Sequence, residues 1–328
     1  VYQRIQSNVR KTWLLIFVFV LLVVAIGFVF GYMTNTGPLG PAVAVLFAVG
    51  MSWGSYYNSD KLALRASHAV PADPQRYNQF HNLVEGMAIA SGMPKPGVYV
   101  VEDEAPNAFA TGRDPEHSAI AVTTGLLQKM ERDELEGVIA HEMSHIQNRD
   151  ILVMTIAVTL VGVIVLMADW MLRALWWGGG RRNSSGNAGA ILAVIGIALM
   201  IFAPLIGRLM QFAVSRRREF LADADAVNFT RNPAGLISAL QKLKSDQTIV
   251  RYATRATAHM WIEEPNALEA QGGERGKRTN KSGAWLNRMF ATHPPLDERI
   301  AALQTMTFGY SSPAGSRPAP PPPPPPQT

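Results

Sequence analysis

Uncharged apolar runs set the plan of this chain before any motif does. Trp13 to Met33 carries no charge and is long enough to cross a hydrocarbon core about 30 Å thick. A short Thr34-Asn35-Thr36-Gly37-Pro38 turn separates it from a second uncharged run, Leu39 to Tyr57. A third begins at Ile151 and stays uncharged to Ala168, with Asp169 and Arg173 near its far end. A fourth, Ala188 to Gly207, is interrupted by Pro204, which kinks a helix. The pattern predicts four transmembrane helices in two tight hairpins, at 13–33 and 39–57 and at about 151–173 and 188–208. The intervening residues read as a water-facing domain. Val70 to Gly92 has the pattern of one helical stretch, and Gly97–Val101 and Ser118–Val122 have that of strands. Gly125 to Ala140 carries apolar residues at helical intervals, with Thr123 or Thr124 as its cap.

The expected organisation follows. A membrane hairpin (1–58) precedes the first half of a polar domain (59–150), and a second hairpin (151–213) precedes the other half (214–308). Residues 309–328, with their proline run, cannot pack and form an extended, disordered tail. The fold class expected is a mainly α integral membrane protein with an α+β domain built on a small sheet with an open edge strand.

Composition agrees with this plan: 48% of the residues are hydrophobic and only 17% charged, low charge for a soluble protein. The first run has a basic flank, Arg10-Lys11, but it is too long for a signal peptide and no small-residue cleavage site follows it. Arg4, Arg10 and Lys11, then Lys61 and Arg65, then Arg216-Arg217-Arg218 all fall on one side of a four-span topology. That side is expected to be cytoplasmic, with both termini, although Arg173, Arg181 and Arg182 dissent. The net charge of +5 is then membrane-flanking charge, so the expected partner is a lipid bilayer and not nucleic acid. Absence of cysteine excludes disulfides and thiolate-bound zinc, so any metal site uses His and carboxylates.

Such a site is written at His141-Glu142-Met143-Ser144-His145. At about 100° per residue the two imidazoles lie about 40° apart on one helical face. Glu142 is offset to the side, within reach of a water on the metal but badly placed to be a ligand. The pentapeptide alone arises by chance in about one chain of this length in a hundred, so its context has to carry it. A third ligand is available in Glu219, which shares a helical face with Asp223 four residues on. Glu219 can bind the metal while Asp223 accepts the free N–H of a ligating His and fixes its tautomer. A solvated acidic stripe is the competing reading of these two residues. Topology decides between them, because two crossings between Asp150 and Glu219 return Glu219 to the face that holds His141 and His145.

These runs and motifs, with Asn107-Ala108-Phe109-Ala110-Thr111-Gly112 and His293-Pro294-Pro295-Leu296-Asp297-Glu298-Arg299-Ile300, resemble the HtpX family of membrane zinc metalloproteases. The eukaryotic CAAX prenyl endopeptidases share part of the pattern. The resemblance spans about residues 1 to 308. It implies a zincin-like, gluzincin-type endopeptidase domain facing the bacterial cytoplasm and one zinc ion per chain. It also implies membrane-protein substrates in protein quality control, alongside other quality-control proteases. In this reading His141, His145 and Glu219 hold zinc, Glu142 is the general base, and Asp223 orients a His ligand. Asn107 holds a substrate amide or the developing oxyanion beside an edge strand, although a turn role is commoner for Asn. His293 assists the transition state by resemblance alone.

A prenyl-peptide endopeptidase and a non-catalytic membrane scaffold are the competing functions. Four spans without a larger intramembrane chamber argue against the first, and the intact ligand and base set argues against the second. His68, His81, His117 and His259 have no partner at ligand spacing and are expected to be structural. Gly50 and Gly54 form a small-xxx-small pair that permits close helix contact, and the oligomeric state stays open. Residues 263–284, rich in Glu, Gly, Lys and Asn, are expected to be a mobile loop, with a plain disordered insertion as the equal alternative.

Overall fold

The computed structural model describes residues 2–33, 39–156, 216–246, 248, 261–262 and 294–310. Two long helices, α1 (Tyr2–Met33) and α2 (Leu39–Tyr57), pack against each other as a hairpin. Their outward faces are apolar and open, with Trp13 61%, Phe28 64% and Leu46 75% exposed. Among the described residues no helix is long and apolar enough to cross a membrane. The backbone of α1 nonetheless runs unbroken through the uncharged stretch 13–33, where several side chains lie outside the described set. Gly50 and Gly54 do not sit at a close helix contact, since a Cβ at either meets no described atom within 4 Å. The second expected hairpin, with Asp169 and Arg173, lies outside the described residues beyond Ile156, as do residues 263–284, His259 and the proline tail.

After α3 (Ser59–Ala66) comes a four-stranded sheet, β1 (Val70–Pro71), β2 (Gly97–Val101), β3 (Ala108–Asp114) and β4 (His117–Thr123), in the order β1-β2-β4-β3. β2 and β4 are parallel, and the outer pairs are antiparallel. The start of the predicted Val70–Gly92 helix is corrected here. Val70 and Pro71 pair with Val100 and Tyr99 as an edge strand, a place where Pro costs no ladder bond. The helix itself, α4, runs only from Asn78 to Ser91 and stops at Gly92, whose left-handed backbone (φ 69°) suits a residue without a Cβ. At the β3–β4 turn Gly112 has φ 135°, and a Cβ there would lie 2.2 Å from the His117 carbonyl oxygen, so the bulge requires glycine.

The single helix expected over Gly125–Ala140 is two helices, α5 (Thr124–Lys129) and α6 (Arg132–Gln147). Met130 and Glu131 are extended between them, which turns Met130 into the core. Thr123 caps α5 through Leu126 N–H, and Glu131 N–H donates to Glu134 Oε2 at 2.7 Å at the start of α6. Glu134 also bonds Ser238 and Lys242, tying α6 to α8 (Pro233–Ser245), which follows α7 (Arg216–Thr230). The last helix among the described residues is α9 (Leu296–Tyr310).

Both faces of the sheet are covered. Val98, Val100, Ile120 and Val122 join α4, α6 and α8 in one core, whereas Val101, Phe109 and Ala121 join Leu64, Ile156 and the Leu15–Phe19 side of α1 in another. α6 therefore lies against the first face, beside the free edge of β3.

Candidate metal centre

α6 holds His141 and His145 one turn apart and fully inside the protein, at 1% and 6% exposure. Their Nε2 atoms are 3.2 Å apart. Glu219, in the first turn of α7, brings Oε2 to 3.6 Å from His141 Nε2 and Oε1 to 3.7 Å from His145 Nε2. Ligand atoms about 2.0–2.1 Å from a tetrahedral zinc sit about 3.3 Å from one another. The three separations bracket that value, and the two-imidazole, one-carboxylate donor set suits zinc, so the residues fit the ion.

Charge leads the same way. Burial and Arg299 both oppose protonation of His141, yet Asp223 and Glu219 outweigh them and raise its pKa to about 9. For His145, burial is outweighed by the bond to Asp150 and the charge of Glu219, and its pKa also rises. The position draws positive charge, which a divalent ion supplies without a proton.

Each imidazole has its own carboxylate. Asp223 Oδ1 lies 2.9 Å from His141 Nδ1, as the i, i+4 spacing from Glu219 predicts. Asp150 Oδ2 lies 3.2 Å from His145 Nδ1, a partner that the sequence reading passed over. Accepting from Nδ1 leaves Nε2 as the donor atom of both rings. Arg299 is the second omission. It lies in the quoted His293–Ile300 motif without an assigned role, yet it is wholly buried and clasps Asp223 with Nε at 2.9 Å and Nη2 at 2.6 Å. A charged residue inside the apolar spacing of α9 is the signal that marks it.

Glu142 is buried and lines a narrow cavity together with His141, His145 and Ala110 of β3. Trp261 and Ile262 close that cavity, a third feature for which the sequence offers no pattern. Trp261 stacks edge-on against Phe109 at 4.7 Å, and Ile262 N–H donates to the Ala108 carbonyl at 2.9 Å. β3 is thus an edge strand, but a buried one, and its free side already accepts a peptide N–H.

Asn107 precedes β3, is 2% exposed and does not line the cavity. Its backbone is fixed by Thr123 at 2.9 Å in both directions, and its Oδ1 accepts the Ala108 N–H. His293 lies outside the described residues. His81 bonds the Ala72 carbonyl and His117 pairs with Asp114, both away from the metal ligands as expected.

Comparison with known proteins bears out the resemblance read from the motifs. The model of peptidase family M48 matches residues 74–307. A protease HtpX homolog from Thermoanaerobacter pseudethanolicus is 46% identical over 309 residues, 93% of this chain and 98% of that protein. A homolog from Streptococcus gordonii is 39% identical over 311 residues, 93% of this chain and 99% of that protein. Among solved structures, S. mikatae Ste24p is similar with 18% identity and a TM-score of 0.47, over 92% of this chain and 67% of that one. The matched segment takes in His141, Glu142, His145, Glu219 and Asp223 together, and on these grounds the chain belongs to peptidase family M48, the metalloproteases that include the HtpX homologues.

Proposed function

We propose that this metalloprotease is anchored in a bacterial cell membrane and cleaves misfolded or damaged membrane proteins on the cytoplasmic side, using one zinc ion. The observation that carries the chemistry is the buried His141–His145–Glu219 cluster with Glu142 in the same cavity. The apolar outer faces of α1 and α2, contiguous with uncharged sequence, support the anchor. The basic residues flanking the uncharged runs support the cytoplasmic orientation.

When bound, the zinc polarises the scissile carbonyl and acidifies the attacking water. His141 and His145 present Nε2 because their Nδ1–H groups donate to Asp223 and Asp150. Glu142 removes the proton of the attacking water and returns it to the leaving amine nitrogen. The free side of β3 receives the substrate backbone as an added strand, and the Ala108 carbonyl is an acceptor already facing that way. Asn107, at the head of that strand, and His293 are assigned to holding substrate and the oxyanion.

The test is casein cleavage and self-cleavage by the full chain in detergent, with and without chelator. Chelator-sensitive cleavage is expected. Glu142→Gln should retain one zinc per chain and lose cleavage, and normal turnover by that variant would sink the mechanism.

A further inference from the structure

The N-terminal part of α1 carries a buried amide where helix surface would be ordinary. Asn8 is 3% exposed, while its neighbours Gln6 and Ser7 are exposed. A buried side-chain amide must use its N–H groups or lose the free energy of their hydration. Asn8 Nδ2 donates to the carbonyl of Asn148, which caps the end of α6, at 2.9 Å, and to Asp150 Oδ1 at 2.7 Å. Asp150 turns its other oxygen to His145 Nδ1 at 3.2 Å, and Arg218 approaches Oδ1 at 3.3 Å. A chain of contacts therefore runs from the first helix to an imidazole whose Nε2 faces Glu219 and His141.

We propose that Asn8 is a positioning residue for the metal centre, acting through Asp150 on His145. The inference rests on the reading of His145 as a metal ligand. An amide nitrogen donates and cannot accept, so it fixes Oδ1 of Asp150 and leaves Oδ2 to accept the His145 Nδ1 proton. The same amide group holds the Asn148 carbonyl, and thereby the end of the helix that carries both imidazoles. The N-terminal hairpin is then a component of the active centre as well as an anchor. Asn8 lies well outside residues 74–307, the segment that defines the family, so a fragment cut to that segment lacks this support.

The experiment uses the full chain in detergent micelles with cobalt as the probe. Its visible absorption reports a tetrahedral site, and a competing chelator gives its affinity. Asn8→Asp is isosteric and sets a second carboxylate against Asp150. Asn8→Ala removes the donor without adding charge, and Asn58→Ala removes an exposed amide elsewhere in the hairpin. Asn8→Asp should weaken cobalt affinity about tenfold or more, the scale of losses around metal ligands. Asn8→Ala should lose less, and Asn58→Ala nothing. Because the effect on His145 passes through Asp150, Asn8→Ala should cost much less affinity in an Asp150→Ala background than in the parent, the remainder coming from the Asn148 carbonyl, whereas a merely structural Asn8 gives additive losses. Should Asn8→Asp not fold, the Asn8→Ala cycle carries the test. Affinity within twofold of the parent in both Asn8 variants, or additive losses, overturns the proposal. A parent chain whose cobalt spectrum survives His145→Ala instead overturns the ligand assignment beneath it.

Discussion

Replacing Arg299 by Leu should be among the most costly single changes in this protein. The guanidinium is wholly buried, clasps Asp223 through two bonds of 2.9 and 2.6 Å, and lies 3.6 Å from Glu219. Leu fills most of the space but leaves the Asp223 carboxylate facing a buried imidazole without its counter-charge. Breaking a buried pair from one side costs about 3–5 kcal/mol. For a catalytic domain of this size each kcal/mol moves the melting temperature by about 2–4 °C, so the loss should reach about 6–20 °C. The sign with pH is specific. Burial pushes the Asp223 carboxyl up, but Arg299 and His141 prevail and hold it at about 2, below its ordinary 3.8. Its stabilising contribution is present above 3.8 and is lost as pH falls towards 2. The Arg299→Leu deficit should therefore be full at neutral pH and narrow on acidification. It should also be smaller in zinc-loaded protein, since the ion replaces part of the missing positive charge. Arg299→Lys keeps the charge, loses the planar fork and should fall between the two. Thermal unfolding in detergent, across pH and with and without zinc, reads all of this. A variant melting within about 2 °C of the parent at pH 7 would refute the argument.

Two further outcomes follow from the geometry. Metal must displace the proton that Asp223 and Glu219 hold on His141 with a pKa of about 9, so apparent zinc affinity should climb about tenfold per pH unit for each proton released up to that pH. The stabilisation of metal-free protein by that proton is full below 6.5 and is lost as pH rises through about 9. Affinity that stays flat between pH 6 and 8 contradicts both statements. Trp261→Ala should lower the melting temperature, because truncating a buried Trp costs about 3–5 kcal/mol. It should at the same time raise kcat/KM for casein, since a substrate strand has to displace Ile262 from the Ala108 carbonyl. Equal or lower kcat/KM in properly folded variant would show that Trp261 and Ile262 do not obstruct the strand edge.

What the sequence made legible was whatever repeats along one helix. His141 and His145, then Glu219 and Asp223, are each four residues apart, and period 3.6 alone puts each pair on one face. The structure places the two pairs against each other, as the reading of the apolar runs expected, while the second hairpin itself lies outside the described residues. Partners far apart in the sequence left no such trace. Arg299 is 76 positions from Asp223, and Asn8 is 142 from Asp150. The break at Met130 was hidden because both sides of it are good helix sequence, and Val70–Pro71 because two residues are too few for a period. Trp261 and Ile262 are held by contacts to Phe109 and the Ala108 carbonyl, which lie about 150 positions earlier in the chain and leave no local pattern.

Contacts between distant parts of the chain explain why the centre attracts a cation. Four buried carboxylates, those of Glu142, Asp150, Glu219 and Asp223, lie around two imidazoles that must be neutral to bind metal. Two guanidiniums answer them, Arg299 on Asp223 and Arg218 on Asp150. Lys11 also bears on Asp150 and Arg218 at the rim of the centre. With no metal ion bound, the same carboxylates favour protonation of the imidazoles and raise the pKa of both. The arginines hold Asp223 and Asp150 in ion pairs beside the rings, so that these carboxylates orient the imidazoles without themselves competing to bind the metal.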